Sequence, residues 1–396
     1  MKTRDLLALY SKFVAPNYGR QPLALARGSG STVVDTDGKK YLDLVAGIAV
    51  NAIGHSPKAV VGALKQAAVL MHTSNLFYTI PQGLLARELV KISFPSKALF
   101  VNSGAEAVEA AIKLARKHQY DKKNGRFEII AMEESFHGRT YGALSCTGQK
   151  KYHVGFEPLL PGVSHVPFAD FEALKNAVNE KTAAVIIEPV QGESGIHAAP
   201  ADFLKKTREL CDQNGILLIF DEVQCGMGRT GKWFGFQHSG VAPDIMTLAK
   251  GLGGGFPVGA MLAKPEVMDS FGPGTHASTF GGNPLACSAA LAVLKSIREK
   301  NLLKNARDVG NFAKKSLEKL KREFGFIKEI RAHGLMIGIE LDRPGAPYVA
   351  ACRNRGLLIN CTHETVLRFV PALNVSKKEM EKGIGILREA LCEVIS

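Results

Sequence analysis

The chain predicts an α/β protein built on a largely parallel sheet, with a second, smaller α+β lobe. Three observations carry that reading. Strand-sized apolar runs at 98–101, 127–131, 183–187, 216–220 and 245–248 alternate with helical stretches, and 258–263 can add one more strand. Residues with chemistry to offer stand where these runs end, namely Asn102-Ser103-Gly104, Glu188, Asp221 and Lys250. Ligands of open α/β sheets bind beyond the carboxyl ends of the strands. From about Leu285 a helical pattern leads into mixed signals at 335–341 and 366–369, as expected of a separate lobe. The expected divisions are a segment 1–54 packed with the small lobe, a large domain 55–284 and a C-terminal domain 285–396.

In chain order, the first residues form a short amphipathic stretch with no long apolar core, so no targeting segment is expected. After the run at 98–101, residues 103–117 read as a helix whose apolar stripe is Val108, Ala111, Ile112 and Ala115. Ser103 can cap it and Glu106 can complete a capping box. Lys113, Arg116 and Lys117 lie toward its C-terminal end, where the helix dipole favours cations. A small-residue helix start after a strand leaves backbone N–H groups free for an anion such as a phosphate. Further on, 314–322 is rich in lysine but keeps a helical apolar spacing, which reads as a solvated helix face.

The 396 residues carry a formal charge of +13, with 46% apolar and 22% charged residues, an ordinary globular composition. The basic residues are dispersed, which argues against nucleic-acid binding, while a positive field suits anionic ligands. No apolar run approaches the length of a membrane span. The cysteines number seven, an odd count, and include no C-x-x-C pair, so a reducing, cytoplasmic setting is expected. No H-E-x-x-H motif and no G-x-S-x-G elbow occur, and the eleven histidines are scattered, so no metal is expected. Only His137, in Ser135-Phe136-His137-Gly138-Arg139-Thr140, falls near the strand ends that matter.

Lys250 is the most informative residue. It follows a buried strand and precedes Gly251-Leu252-Gly253-Gly254-Gly255. Burial favours a neutral amine, which can attack a carbonyl. Glycines let a flat ligand approach the backbone. Asp221 ends a neighbouring strand and can keep a pyridine nitrogen protonated. A Schiff-base lysine with such an acid is the pairing that pyridoxal 5'-phosphate requires. The segment Gly226-Met227-Gly228-Arg229-Thr230-Gly231-Lys232 imitates two nucleotide motifs, but Trp233 stands where a P-loop needs Ser or Thr. It reads as a glycine-rich loop beside the site.

Six blocks in order, at 47–55, 102–107, 135–140, 188–193, 221–224 and 279–284, resemble the class III, or ornithine-type, pyridoxal-phosphate aminotransferases over nearly the whole chain. The resemblance implies fold type I, with a mostly parallel seven-stranded sheet in the large domain, and a homodimer with shared active sites. It implies Lys250 as the cofactor-bearing catalytic lysine and Asp221 as the partner of the pyridine nitrogen. Around them it places Ser103, Gly104, Ala105, Phe136, Glu222, Val223, Gln224 and, from the neighbouring subunit, Thr279. Phe136 would stack on the ring, and Gln224 would bond its phenolic oxygen. Arg139, Ser278 and Tyr18 would meet the acylated end of the amino donor. Arg368 would take the carboxylate of glutamate and be masked by Glu193 when the other donor binds. Stretches at 226–231, 250–261 and 334–341 are most like members that use N2-acetylornithine and 2-oxoglutarate, yielding glutamate, in arginine biosynthesis. Ornithine, succinylornithine, succinyldiaminopimelate and 4-aminobutyrate are alternative donors, and an aminomutase of the same fold is the rival chemistry.

Overall fold

The computed structural model describes residues 2–395. A seven-stranded sheet runs through the middle of the chain in the order Lys97–Val101, Gly259–Ala263, Ile245–Leu248, Leu217–Asp221, Thr182–Ile187, Glu128–Met132 and Val163–Val166. Gly259–Ala263 runs antiparallel to both its neighbours, and the remaining pairings are parallel. All six residues of Thr182–Ile187 are buried, as a central parallel strand covered on both faces requires. Each buried isoleucine there contributes about 1.5–3 kcal/mol. Val163–Val166, an edge strand that carries Ser164 and His165, gives no apolar run and is not visible in the sequence pattern.

Helix Gly104–Asp121 packs its small-residue stripe on one face of this sheet and extends four residues past the predicted end. Ser103 Oγ accepts from the Glu106 amide at 3.2 Å, as a capping residue should. Glu106 accepts from Asn102 N at 2.7 Å, one residue before the amide that a capping box would use. The opposite face of the sheet joins a core continuous with the C-terminal lobe.

That lobe carries the antiparallel sheet Ile327–His333, Met336–Leu341, Val366–Phe369, Asn360–Thr362, covered by helix Leu302–Glu323, against which helix Lys377–Ile395 packs. Helix Leu302–Glu323 buries Ala306, Val309, Ala313, Leu317 and Leu320 and exposes Lys314, Lys315 and Lys319, so the lysine-rich stretch is a solvated face. Near the N-terminus, strands Leu25–Ser29, Thr32–Asp35 and Lys40–Asp43 form a meander. It is extended by Leu357–Leu358, which pairs in parallel with Lys40–Asp43. Among the described residues no helix is long and apolar enough to cross a membrane, and no group of acidic, histidine or cysteine side chains could hold a metal ion.

Candidate active site

Lys250 follows the strand Ile245–Leu248 and sits at φ +43°, a left-handed conformation that costs a non-glycine residue about 1–3 kcal/mol. That strain aims its side chain into a cavity of about 420 Å³ at the carboxyl ends of the parallel strands. Burial lowers the pKa of the Lys250 amine and Arg368 lowers it further, while Glu193, Asp221 and Glu188 oppose them. The net direction favours the neutral nucleophile. Of the glycine run, Gly255 lines the cavity. Gly253 and Gly254 instead pack against protein, because an added Cβ would lie 1.9 Å from Phe256 O and 2.6 Å from Val293.

Asp221 closes the strand Leu217–Asp221, and its carboxylate is held from three sides. Oδ2 accepts from His137 Nδ1 at 2.7 Å, and Oδ1 accepts from Thr247 Oγ1 and the Val223 amide, both at 3.0 Å. Burial works against a charged His137, but the hydrogen bond and charge of Asp221 prevail and raise its pKa. His137 Nε2 is buried without a partner among the described residues. Glu188, at the end of Thr182–Ile187, accepts from the Phe136 amide at 3.0 Å, and burial pushes its carboxyl up to about 7. Neither His137 nor Glu188 is given a role by motif reading. Their signal is positional, since each lies where a strand or its following loop meets Asp221.

At the other end of the cavity are Ser103, Gly104 and Ala105, where the first amides of a helix have no intrahelical acceptor. An added Cβ on Gly104 would lie 2.8 Å from Val223, and one on Gly138 2.9 Å from Ala105. Only glycine lets these segments converge. Phe136 and Arg139 form a wall, with the Arg139 guanidinium 5.3 Å from the Phe136 ring centroid and 3.8 Å from that of Tyr152. Val223 and Gln224 also line the cavity. The Glu222 side chain faces away and accepts from the amides of Gly235 and Phe236 at 2.8 and 2.7 Å, so its contact with this loop is structural.

Ser278 and Thr279 are not brought to the Lys250 cavity of the same chain. They line a neighbouring hollow with Asn102 and Glu106, where Ser278 Oγ accepts from Asn102 Nδ2 at 3.2 Å. Tyr18 also lies apart, 69% exposed and stacked on Arg20 at 5.2 Å.

Arg368 comes from the strand Val366–Phe369 of the small lobe and has no exposed surface. Its Nη1 donates to Glu193 Oε1 at 2.7 Å, to Gly192 O at 2.9 Å and to Gln224 Oε1 at 3.3 Å. Gln224 Nε2 donates to the same Glu193 oxygen at 3.0 Å. Gln224, with one edge in the cavity, thus stands between it and a closed arginine–carboxylate pair. Gly192 makes room for it, since a Cβ there would fall 1.9 Å from Gln224 Oε1. Burial pulls the Glu193 carboxyl up, but Arg368 and then Lys250 prevail and bring it down to about 2. A depressed carboxylate contributes stability that is present above its unfolded pKa and lost as pH falls through the folded one. The melting-temperature advantage of the parent over Glu193→Gln should therefore shrink between pH 4.5 and about 2 in a scan. An advantage that does not change across that interval would contradict the pairing.

A strained lysine with a lowered pKa, a pinned aspartate and free helix amides at the far end suit a flat, phosphorylated, carbonyl-bearing ring. Fold and site together define a pyridoxal-phosphate enzyme of fold type I. The aminotransferase class-III family model matches residues 13–391, and the chain belongs to that family of pyridoxal-phosphate-dependent aminotransferases. It is 52% identical to the acetylornithine aminotransferase of Methanocaldococcus jannaschii over the full length of both proteins. Among solved structures it is similar to the acetylornithine aminotransferase of Elizabethkingia anophelis, with a TM-score of 0.90, 36% identity and 99% of each chain covered. It is also similar to an ornithine aminotransferase of Toxoplasma gondii in which PLP partly occupies the active site. That match has a TM-score of 0.95 and 33% identity, covering 99% of this chain and 95% of the other.

Proposed function

We propose that the chain transfers the terminal amino group of N2-acetylornithine to 2-oxoglutarate, reversibly, giving N-acetylglutamate 5-semialdehyde and glutamate as a step of arginine biosynthesis. The observation that carries the two-substrate reading is the buried Arg368–Glu193 pair behind Gln224. An acylated ornithine presents an amine at the end of an aliphatic chain, where a bare arginine would be unwelcome. Glutamate presents its amine beside a carboxylate and needs that arginine. A cation masked by a movable carboxylate serves both, because the arginine fork can exchange one carboxylate for another. The names and identities of the relatives support the acetylated donor.

Pyridoxal phosphate, when bound, supplies a conjugated sink for the electrons left on a substrate carbon that loses its proton. The Gly104 and Ala105 amides would take its phosphate, and Phe136 and Val223 would flank its ring. Asp221, oriented by His137, Thr247 and Val223, presents a carboxylate to the ring nitrogen. Lys250 Nζ would hold the cofactor between turnovers and would take up the proton that the substrate carbon loses, a role that its lowered pKa suits. Arg139 stands at the cavity wall for the distal end of the donor.

We also propose a cytoplasmic homodimer. Cys146, Cys211, Cys225, Cys287, Cys352 and Cys361 are free thiols, which suits a reducing compartment. A stretch of chain exposes Val69, Leu70, Met71, Leu76, Phe77, Tyr78 and Ile80, and an exposed run of large apolar side chains suits a protein–protein interface. A dimer would also bring Ser278, Thr279 and Tyr18 to a partner's cavity. Leu76→Asp with Phe77→Asp is expected to yield monomers in sedimentation experiments and to lose activity with them. Active monomers would refute shared sites.

The reading is tested by single half-reactions on purified holoenzyme without 2-oxoglutarate, followed by cofactor absorbance. N2-acetylornithine, ornithine, 4-aminobutyrate and succinyldiaminopimelate are each added alone. Fastest conversion by N2-acetylornithine supports the assignment. Fastest conversion by another amine moves the substrate but keeps the class. Turnover without any 2-oxo acid would make the protein an aminomutase.

A further inference from the structure

The glycine-rich loop that imitates a nucleotide motif carries a buried arginine that the mechanism does not use. Arg229 is 2% exposed, and among the described residues no carboxylate pairs with it. Burial alone brings its pKa down to about 9. An unpaired guanidinium is costly to bury, so its donors must do something an apolar side chain could not.

Arg229 Nη1 donates to Pro371 O and, at 3.3 Å, to Leu335 O, and the Leu335 amide donates back to Arg229 O at 2.9 Å. Leu335 leads directly into the strand Met336–Leu341, and Pro371 follows the strand Val366–Phe369. These two strands are paired, with Gly338 opposite Arg368. One side chain therefore grips the same end of two neighbouring strands of the small lobe. Pro371 is three residues beyond Arg368, a lever of about 10 Å in extended chain.

The loop is tied to this segment at a second point. Gln224, five residues before Arg229, accepts from Arg368 at 3.3 Å. Between the two ties, Met227 and Gly228 take φ of +55° and +89°, and an added Cβ on Gly334 would lie 2.7 Å from Arg229 O. The contact is close-packed backbone, with little room to slide.

We propose that Arg229 is a positioning residue that sets Arg368 against Gln224, and thereby sets how well the site accepts a substrate with a carboxylate next to the reacting carbon. The proposal rests on the reading of Arg368 as the carboxylate partner. A small displacement of the strand moves the Arg368 fork relative to a bound glutamate and leaves an ω-amine, which does not use that fork, largely unaffected.

The test measures two half-reactions on holoenzyme by cofactor absorbance, one with glutamate and one with whichever ω-amine reacts fastest. Parent, Arg229→Lys, Arg368→Lys and the double variant are compared. Arg229→Lys is expected to lower kcat/KM for glutamate by on the order of tenfold relative to the ω-amine. In the Arg368→Lys background the same change is expected to cost no further selectivity, because the group it positions is already gone. Equal losses in both half-reactions, or an undiminished loss in the double variant, would overturn the positioning role while leaving Arg368 in place. An unchanged ratio in Arg368→Lys alone would remove the underlying reading and the proposal with it. If Arg229→Lys does not fold, Arg229→Gln serves instead, and failure of both would assign Arg229 to stability and overturn the proposal.

Discussion

Replacing Lys250 by alanine is expected to abolish transamination while leaving the fold intact. The side chain ends in the cavity, and alanine, which keeps the Cβ, bears the strained φ of +43° no worse than lysine does, so folding has little to lose. Catalysis loses two things at once. One is the covalent anchor, and the other is a positioned base, which by itself contributes about 10²–10⁴-fold. No other lysine lines the cavity to replace it. Cofactor can still bind through the Gly104 and Ala105 amides and Asp221, so the variant should take up pyridoxal phosphate without the absorbance of the covalently held form. Turnover within about tenfold of the parent would remove Lys250 from the mechanism.

Arg368→Ala is expected to separate the two half-reactions. Removing one partner of a buried, hydrogen-bonded charge pair costs about 2–5 kcal/mol, and that loss should fall on the glutamate and 2-oxoglutarate half. The variant also strands Glu193, whose carboxyl is held at about 2 chiefly against burial by Arg368. Its pKa should therefore rise, and the stability that the depressed carboxylate loses between pH 4.5 and about 2 should fade less in the variant than in the parent. The acylated donor approaches as an aliphatic chain and should lose less. Single-turnover rates with each donor decide the matter, and equal losses in both would argue against an arginine that serves one substrate and hides from the other.

Much of the site was legible because strand ends bear it. Asp221 and Lys250 each close a short apolar run, and alternation of such runs with helices already implies a parallel sheet whose ligands gather at one edge. Ser103, Gly104 and Ala105 were legible for a similar reason, since capping chemistry is local. The places of His137 and Glu188 were legible too, but their roles were not. His137 and Glu188 gain their roles from hydrogen bonds to Asp221 and to the Phe136 amide across 84 and 52 residues of chain. The Glu222 carboxylate points into the 235–236 turn, and only packing decides which way a side chain beside a site will face.

The local rules of chain chemistry by themselves pointed to a largely parallel sheet, a capped helix start with free amides and a lysine at a strand end. Periodicity, capping and the glycine positions act over a few residues and need no partner. Only the tertiary structure decided how Arg368 meets Glu193 and Gln224, and how Arg229 reaches Leu335 and Pro371. Those contacts join lobes far apart in sequence. A buried charge declares its partner only when the fold has removed the water that would otherwise solvate it.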